Sequence, residues 1–390
     1  MQSFKEAQKQ EELKLKGATS SKLDQSSILP THLKPDALFE TSYGAQKAQI
    51  LATALELRLF DYLAQCKNDS GRSIQDIRGG IGIKSARPED FLNALVAMGH
   101  LVREGKDLES WRYRNSEEAN VFCVRESPLY MGQIMHRFAN IRENSFGELT
   151  KLLKEESTYK IKEFNELYSK HHTSVPEFAH AMESCIKLAV FKLSESILPR
   201  LCDQGLETIA DIGGGSGYTL MEFCRHNPRI KCAIDCELGE LRDTFTEYLG
   251  REEKCAGGER LRERVFFQEL DFLKEGSFRF KIPGSNMDKV DGIVFGNVMH
   301  NWELKVRKEL MRKSFESLSK GGKIIIYDYF LDEESSKLPS YLMSLHMQLV
   351  CRGSQFTFAE MKGWLEEAGF SEVVIESLDG RMEACIATKK

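Results

Sequence analysis

The residues Thr208–Gly217 read TIADIGGGSG, a short apolar run that ends at an acid and passes into glycines. Glycines at such a point let the backbone approach a ligand closely, and the following YTLMEFCRH, helical in pattern, leaves its first amides free to bind one. A dinucleotide fingerprint would place glycines at 213, 215 and 218, but position 218 is Tyr218. The observed spacing is Asp211-x-Gly213-x-Gly215-x-Gly217. An acid directly before the glycines repels a pyrophosphate and suits a ligand carrying an ammonium group. The next β-rich run closes on Asp235, 18 residues beyond Gly217, where a carboxylate accepts both hydroxyls of a ribose. The third closes on Leu270-Asp271-Phe272, an acid and an aromatic able to bracket an adenine. An ammonium-compatible loop, a ribose acid and a base-binding pair, in that order, point to S-adenosyl-L-methionine, with S-adenosyl-L-homocysteine as its product.

The elements that must position these residues are β-rich runs alternating with helical stretches: TIADI, KCAID, VFFQELD, DGIVFGN and KIIIYDYF. That series predicts an α/β fold, a Rossmann-like doubly wound sheet, over residues 201–390. The last two runs, EVVIES and EACIATK, are separated only by Leu378–Met382. No crossover helix fits there, so the last strand is expected to run antiparallel. Residues 126–200 read as helices without a glycine loop, a linker and roof over a site. Residues 36–125 read as helices followed by LVRE, a turn at Gly105-Lys106-Asp107 and WRYRN, a mainly helical winged-helix domain. Residues 1–35, rich in Gln, Lys, Glu and Ser, read as a flexible tail.

Composition narrows the partners. The 390 residues carry 54 Lys+Arg against 59 Asp+Glu, a net charge of −5, whereas a general nucleic-acid binder needs surplus cations. The winged helix is no more basic: Glu40–Thr150 holds 14 Lys/Arg and 15 Asp/Glu. A packing or dimer-forming role is therefore expected for it in place of DNA binding. No apolar run reaches the length of a membrane span, and Met1–Gly17 lacks the apolar stretch of a signal peptide. A cytoplasmic location is expected. The ten cysteines form no CxxC pair, and Cys232 and Cys236 have no matching partner pair, so reduced thiols and no metal are expected.

The segments DIGGGSG, IDCE, ELDF, FGNVMHNWE, SKGGKIIIYDYFLDE, LMSLHMQL and EEAGF resemble the class I small-molecule O-methyltransferases, the family of acetylserotonin and caffeate O-methyltransferases. LFETSYGAQKAQILATALELRLFDYL resembles that family's dimerisation domain, so the resemblance covers nearly the whole chain and implies a homodimer. By position it implies that Asp235 holds the ribose, Asp271 and Phe272 the adenine, and Gly213 and Gly215 the methionine end. Asn297 and Tyr168 would be further cofactor contacts.

His300, in MHNW after the fourth strand, would be the general base for an acceptor hydroxyl, since imidazole can take a phenolic proton as the methyl moves. Asp328 and Gln355 would orient it. Met182, Trp302, Met343, His346 and Met347 would line an apolar acceptor pocket, with Met131, Met135 and Phe138 beside them. Two departures stand out. His-Asn-Trp replaces the usual His-Asp-Trp, and Gln355 stands where the plant enzymes place a second acid beside the histidine. The expected reaction is methylation of a hydroxyl on an aromatic or enolic small molecule. The alternatives are N- or carboxyl methylation, chemistry other than methyl transfer, or a winged-helix regulator with a vestigial catalytic domain.

Overall fold

The computed structural model describes residues 34–66, 70–139, 146–154, 175–255, 260–274, 276–286, 288–351 and 353–390. By contacts the chain divides into Met1–Lys47 and Ala48–Lys390. In the first unit the helix Asp36–Ser42 buries none of its residues and exposes Leu38 and Phe39, and Tyr43 just after it is exposed too.

The apolar spacing that runs from Ile50 to Leu63 is divided between two helices. The helix Gly44–Glu56 ends, and Leu59–Ala64 begins after Arg58, whose φ of 56° is left-handed. The rotation brings Leu59, Phe60 and Leu63 into a core with Ala54, Leu92, Leu95 and Tyr113. Helix Ile74–Gly80 starts from a capping box in which Ser73 and Asp76 exchange hydrogen bonds. Gly79 and Gly80 form its end. Helix Pro88–Ala97 opens with proline and two acids in its first turn. Strands β1 (Leu101–Glu104) and β2 (Arg112–Asn115) pair antiparallel, completing the helix-helix-ribbon order read in the sequence.

Seven strands form the main sheet: β3 (Thr208–Ile212), β4 (Cys232–Glu237), β5 (Val265–Glu269), β6 (Val290–Gly296), β7 (Leu318–Asp328), β8 (Ser371–Ser377) and β9 (Glu383–Thr388). Their order is β5-β4-β3-β6-β7-β9-β8. The first five are parallel, and β9 lies antiparallel between β7 and β8, as the short link before it required. Alternate residues feed two cores. Ile209, Ala233, Val294 and Ile325 face one, with Leu220 and Phe223, while Ala210, Ile234, Ile293 and Ile324 face the other, with Leu310 and Leu365. Burying each large aliphatic side chain contributes about 1.5–3 kcal/mol.

Two strand ends differ from expectation. β4 continues past Asp235 to Glu237, so Asp235 is an interior residue of the strand, and β5 stops at Glu269, leaving Asp271 and Phe272 in the loop beyond it. The direction of connection reverses between β3 and β6, so the crevice of this doubly wound sheet opens at the C-terminal ends of those two strands. Among the described residues no helix is long and apolar enough to cross a membrane.

Candidate active site

The glycine loop springs from β3 at this crevice. Gly213, Gly215 and Gly217 all have left-handed φ, between 64° and 79°, which is why only glycine serves there. At Gly215 a Cβ would meet nothing within 4 Å, so the loop leaves open space above it. At Gly213 a Cβ would lie 3.7 Å from the Phe272 ring and 2.9 Å from Val298. The loop after β5 and the loop after β6 thus both reach the glycines. Phe272 also meets Trp302 edge to face, with centroids 5.9 Å apart. Asp271 accepts the N–H groups of Leu273 and Lys274 and pairs with the Lys274 ammonium at 2.8 Å. Partial burial pushes its carboxyl up, but these contacts outweigh it and hold it below the usual range.

Three acids share one face of β3 and β4. Asp211 stands opposite Asp235 in register, and Glu237 closes β4. Glu237 accepts the Leu238 N–H at 2.7 Å and a backbone hydrogen bond from Gly215. Burial still pushes its carboxyl up to about 7. Asp235 is fully buried, with neither oxygen hydrogen-bonded among the described residues. Glu237 is the acid that ends β4, and both it and Asp235 lie against the glycine loop. The sequence carried the signal: IDCE holds two acids at alternate positions, and only the second ends the strand.

The loop after β6 carries the candidate base. Asn297 takes a left-handed φ of 54°, which asparagine tolerates better than most residues, and donates its N–H to Tyr327 O at 3.0 Å. Its Oδ1 is buried without a hydrogen bond among the described residues. His300 lies in the single turn Met299–Asn301 and is buried. Its Nδ1 is 2.7 Å from Asp328 Oδ1, at the end of β7. Gln355 Nε2 is 3.1 Å from the same carboxylate oxygen and 3.1 Å from His300 Nδ1. A proton on Nδ1 given to Asp328 satisfies this arrangement, with Gln355 donating to the carboxylate, and it leaves Nε2 as the basic nitrogen. Tyr329 N–H is a further donor to Asp328 Oδ1, at 2.8 Å.

The acceptor-side residues are placed less uniformly. Met343, His346 and Met347 lie on helix Leu338–Val350, and Ser344 of that helix accepts the Gln355 N–H at 3.2 Å. Met347 and Trp302 are buried, while His346 is half-buried against Phe146. Met182 and Met135 pack on the apolar core and Met131 is buried in it. Phe138 is 42% exposed, so it does not share the environment of the other roof residues. Tyr168 lies outside the described residues.

One residue of this region gave no signal in the sequence. Arg307 is buried and donates from Nε to Met299 O (3.0 Å) and Trp302 O (2.7 Å), and from Nη2 to Ser354 O (2.6 Å). Its guanidinium also lies over Phe356, 4.9 Å from the ring centre. It therefore ties the turn that carries His300 to the segment that carries Gln355. Burial pulls its basicity down, opposed by the Asp328 charge. Arg307→Met is expected to orphan these carbonyls at about 1–3 kcal/mol each. Measured below the variant's own melting temperature, kcat should fall about tenfold or more with cofactor Kd unchanged. An unaltered kcat in the folded variant would leave Arg307 a stabilising role only.

Comparison with known proteins follows the same lines. The family model described as "O-methyltransferase domain" matches residues 148–371, and "O-methyltransferase dimerisation domain" matches residues 39–125. The 3-hydroxy-5-methyl-1-naphthoate 3-O-methyltransferase of Streptomyces sahachiroi is 26% identical over 89% of this chain and 93% of its own length. N,N-dimethyltransferase OxyT of Streptomyces rimosus is 27% identical over 88% and 92%. Acetylserotonin O-methyltransferase of Gallus gallus is 25% identical over 91% and 97%. Among solved structures, human N-acetylserotonin methyltransferase in complex with SAM superposes with a TM-score of 0.75 at 19% identity, covering 93% of this chain and 99% of that one. PigF with SAH gives 0.68 at 20% identity, covering 92% and 100%. Matched over more than half its length by the first of those family models, this chain belongs to the S-adenosylmethionine-dependent O-methyltransferases.

Proposed function

We propose that the protein transfers a methyl group from S-adenosylmethionine to a hydroxyl of a small aromatic or enolic metabolite, with His300 as general base. The observation that carries the mechanism is the buried His300–Asp328 contact of 2.7 Å at the crevice of the sheet. The site fits the cofactor: Gly215 faces open space, and buried Asn297 Oδ1 and Asp211 Oδ1 have no hydrogen-bond partner among the described residues. Glu237 would take the ribose hydroxyls, Asp271 and Phe272 the adenine, and Gly213, Gly215 and Asn297 the methionine end. The cofactor supplies an electrophilic methyl group on a sulfonium. His300 Nε2 accepts the proton of the acceptor hydroxyl, and Asp328 stabilises the imidazolium that forms. Gln355 adds a donor that fixes the carboxylate but brings no second charge. Such a site suits an acceptor hydroxyl that is already acidic.

The relatives support this acceptor class through a naphthoate and an acetylserotonin enzyme. OxyT, an N,N-dimethyltransferase, supports an amine as the second reading. Incubation with S-adenosylmethionine and a panel of naphthols, hydroxyindoles, polyketide phenols and aryl amines separates them. A product heavier by one CH₂, whose new methyl is attached to oxygen, is the expected result. Methylation of the amines alone would overturn the hydroxyl reading.

A homodimer built through the N-terminal region is part of the same proposal, supported by the dimerisation-domain match and by exposed Leu38, Phe39 and Tyr43. Leu38→Glu with Phe39→Glu should shift the mass measured by light scattering from two chains to one. An undiminished dimer mass would place the interface elsewhere.

A further inference from the structure

The segment that carries Gln355 presses its backbone directly onto the turn that carries His300. Ser354 donates its N–H to His300 O at 2.9 Å. At Gly353, which is buried, a Cβ would lie 1.9 Å from His300 O and 3.0 Å from the Cα and carbonyl carbon of Asn301. Non-bonded heavy atoms settle at about 3.5 Å, so a methyl there would have to open the contact by roughly 1 Å or more. The φ of Gly353 is not left-handed, so the backbone itself would accept alanine. Only the want of space requires glycine.

Neither side of this contact can simply retreat. Arg307 Nε donates to Met299 O at 3.0 Å and to Trp302 O at 2.7 Å, on either side of His300. Its Nη2 donates to Ser354 O at 2.6 Å, so one guanidinium draws the two backbones together. Downstream, Phe356 O accepts the Leu331 N–H at 3.0 Å, and its ring meets Phe330 edge to face at 5.3 Å. Thr357 then opens the capping box of helix Phe358–Glu367. Upstream, buried Cys351 donates its N–H to Met347 O at 2.9 Å. Gln355 follows Gly353 by two residues, and its Nε2 lies 3.1 Å from both His300 Nδ1 and Asp328 Oδ1. A shift that makes room for a side chain at 353 therefore moves the imidazole or the glutamine relative to Asp328.

We propose that Gly353 is a positioning residue for the reaction: its bare Cα seats the His300 peptide and so fixes where Nε2 stands against the acceptor hydroxyl. The inference rests on His300 as the general base. Gly353 acts through the histidine turn and touches no reacting atom. A base displaced by about 1 Å loses proton transfer along the productive line. The glycine loop and the acids of β3 and β4 stand apart from this contact, so cofactor binding is spared.

The test is Gly353→Ala in the whole protein, with Gly363→Ala as control. Gly363 lies in helix Phe358–Glu367 with open space where its Cβ would be, so alanine there should leave turnover unchanged. Gly353→Ala, assayed well below its melting temperature on a naphthol from the panel above, should lose about 10–100-fold in kcat. Its Kd for S-adenosylmethionine by calorimetry should match the wild type.

Nuclear magnetic resonance of ¹⁵N-histidine gives a readout that a loss of stability alone would not move. The His300 ring is identified by the signals missing from His300→Ala. In the wild type, the neutral ring should show its proton fixed on Nδ1 and Nε2 bare. In folded Gly353→Ala the two nitrogen signals should move towards each other as the tautomer is released. Unmoved ring signals, or a kcat equal to the wild type, would overturn the proposal. Should Gly353→Ala not fold, hydrogen exchange of the wild type decides. The Ser354 amide should exchange about 10²-fold or more slowly than an exposed loop amide, and exchange at the exposed rate would overturn the contact. Full turnover in His300→Ala would instead overturn the base assignment on which the proposal rests.

Discussion

Replacing His300 with alanine is expected to cut turnover by about 10²–10⁴-fold while leaving the Kd for S-adenosylmethionine nearly unchanged. The split follows from where the ring sits. Its Nδ1 is engaged by Asp328 at 2.7 Å and Gln355 closes on the same oxygen, so the side chain is braced from behind and presents only Nε2 for chemistry. The glycine loop and Glu237 belong to β3 and β4, whereas His300 follows β6 and its carboxylate ends β7. Removing the ring also leaves Asp328 with one fewer donor in a buried place, so some stability is lost with it. Assays must therefore run well below the variant's melting temperature. Asp328→Asn is the companion variant. It keeps the volume but turns an acceptor towards a donor, which favours the wrong imidazole tautomer, and its turnover should also fall steeply. Full turnover in His300→Ala would remove the histidine from the reaction, and proton transfer would need another group.

The sequence carried most of this site because each piece is local: a strand, an acid, glycines at fixed spacing. The glycine loop, the aromatic after β5 and the histidine turn after β6 are found where their flanking patterns put them. The antiparallel last strand was legible for the same reason, since five residues leave no room for a crossover. What was not legible depends on where a strand stops and on which groups meet across it. Asp235 and Glu237 differ by two positions and share one face, so periodicity cannot say which of them reaches the edge. In the structure Asp211 lies opposite Asp235 under the glycine loop, and Glu237 closes the strand. Arg307 was invisible because a charged residue in a helix such as LKVRKELMRKSFES reads as solvated. Its burial arises only when the His300 turn and Ser354 close over it with their carbonyls. The break at Arg58 was hidden in the same way: the apolar spacing runs straight across a residue whose backbone turns left-handed.

The second large effect is expected at Glu237. Its carboxylate lies at the end of β4, next to the turn it caps by accepting the Leu238 N–H, and it accepts a further backbone bond from Gly215. If it takes the ribose hydroxyls, two charge-assisted hydrogen bonds are lost on its removal, each worth about 1.5–3 kcal/mol before compensation by water. Glu237→Ala should therefore weaken S-adenosylmethionine and S-adenosylhomocysteine alike by about 10²-fold, because both carry the same ribose. Glu237→Gln should fall between, since an amide accepts one hydroxyl but carries no charge.

Asp235→Asn gives the contrasting pattern. It lies inside the strand, so only a several-fold effect on either affinity is expected if Glu237 holds the sugar. The two variants thus decide which acid of β4 holds the sugar. Equal binding in Glu237→Ala and wild type would sink the ribose assignment. A hundredfold loss for both ligands in Asp235→Asn would return that role to the interior acid.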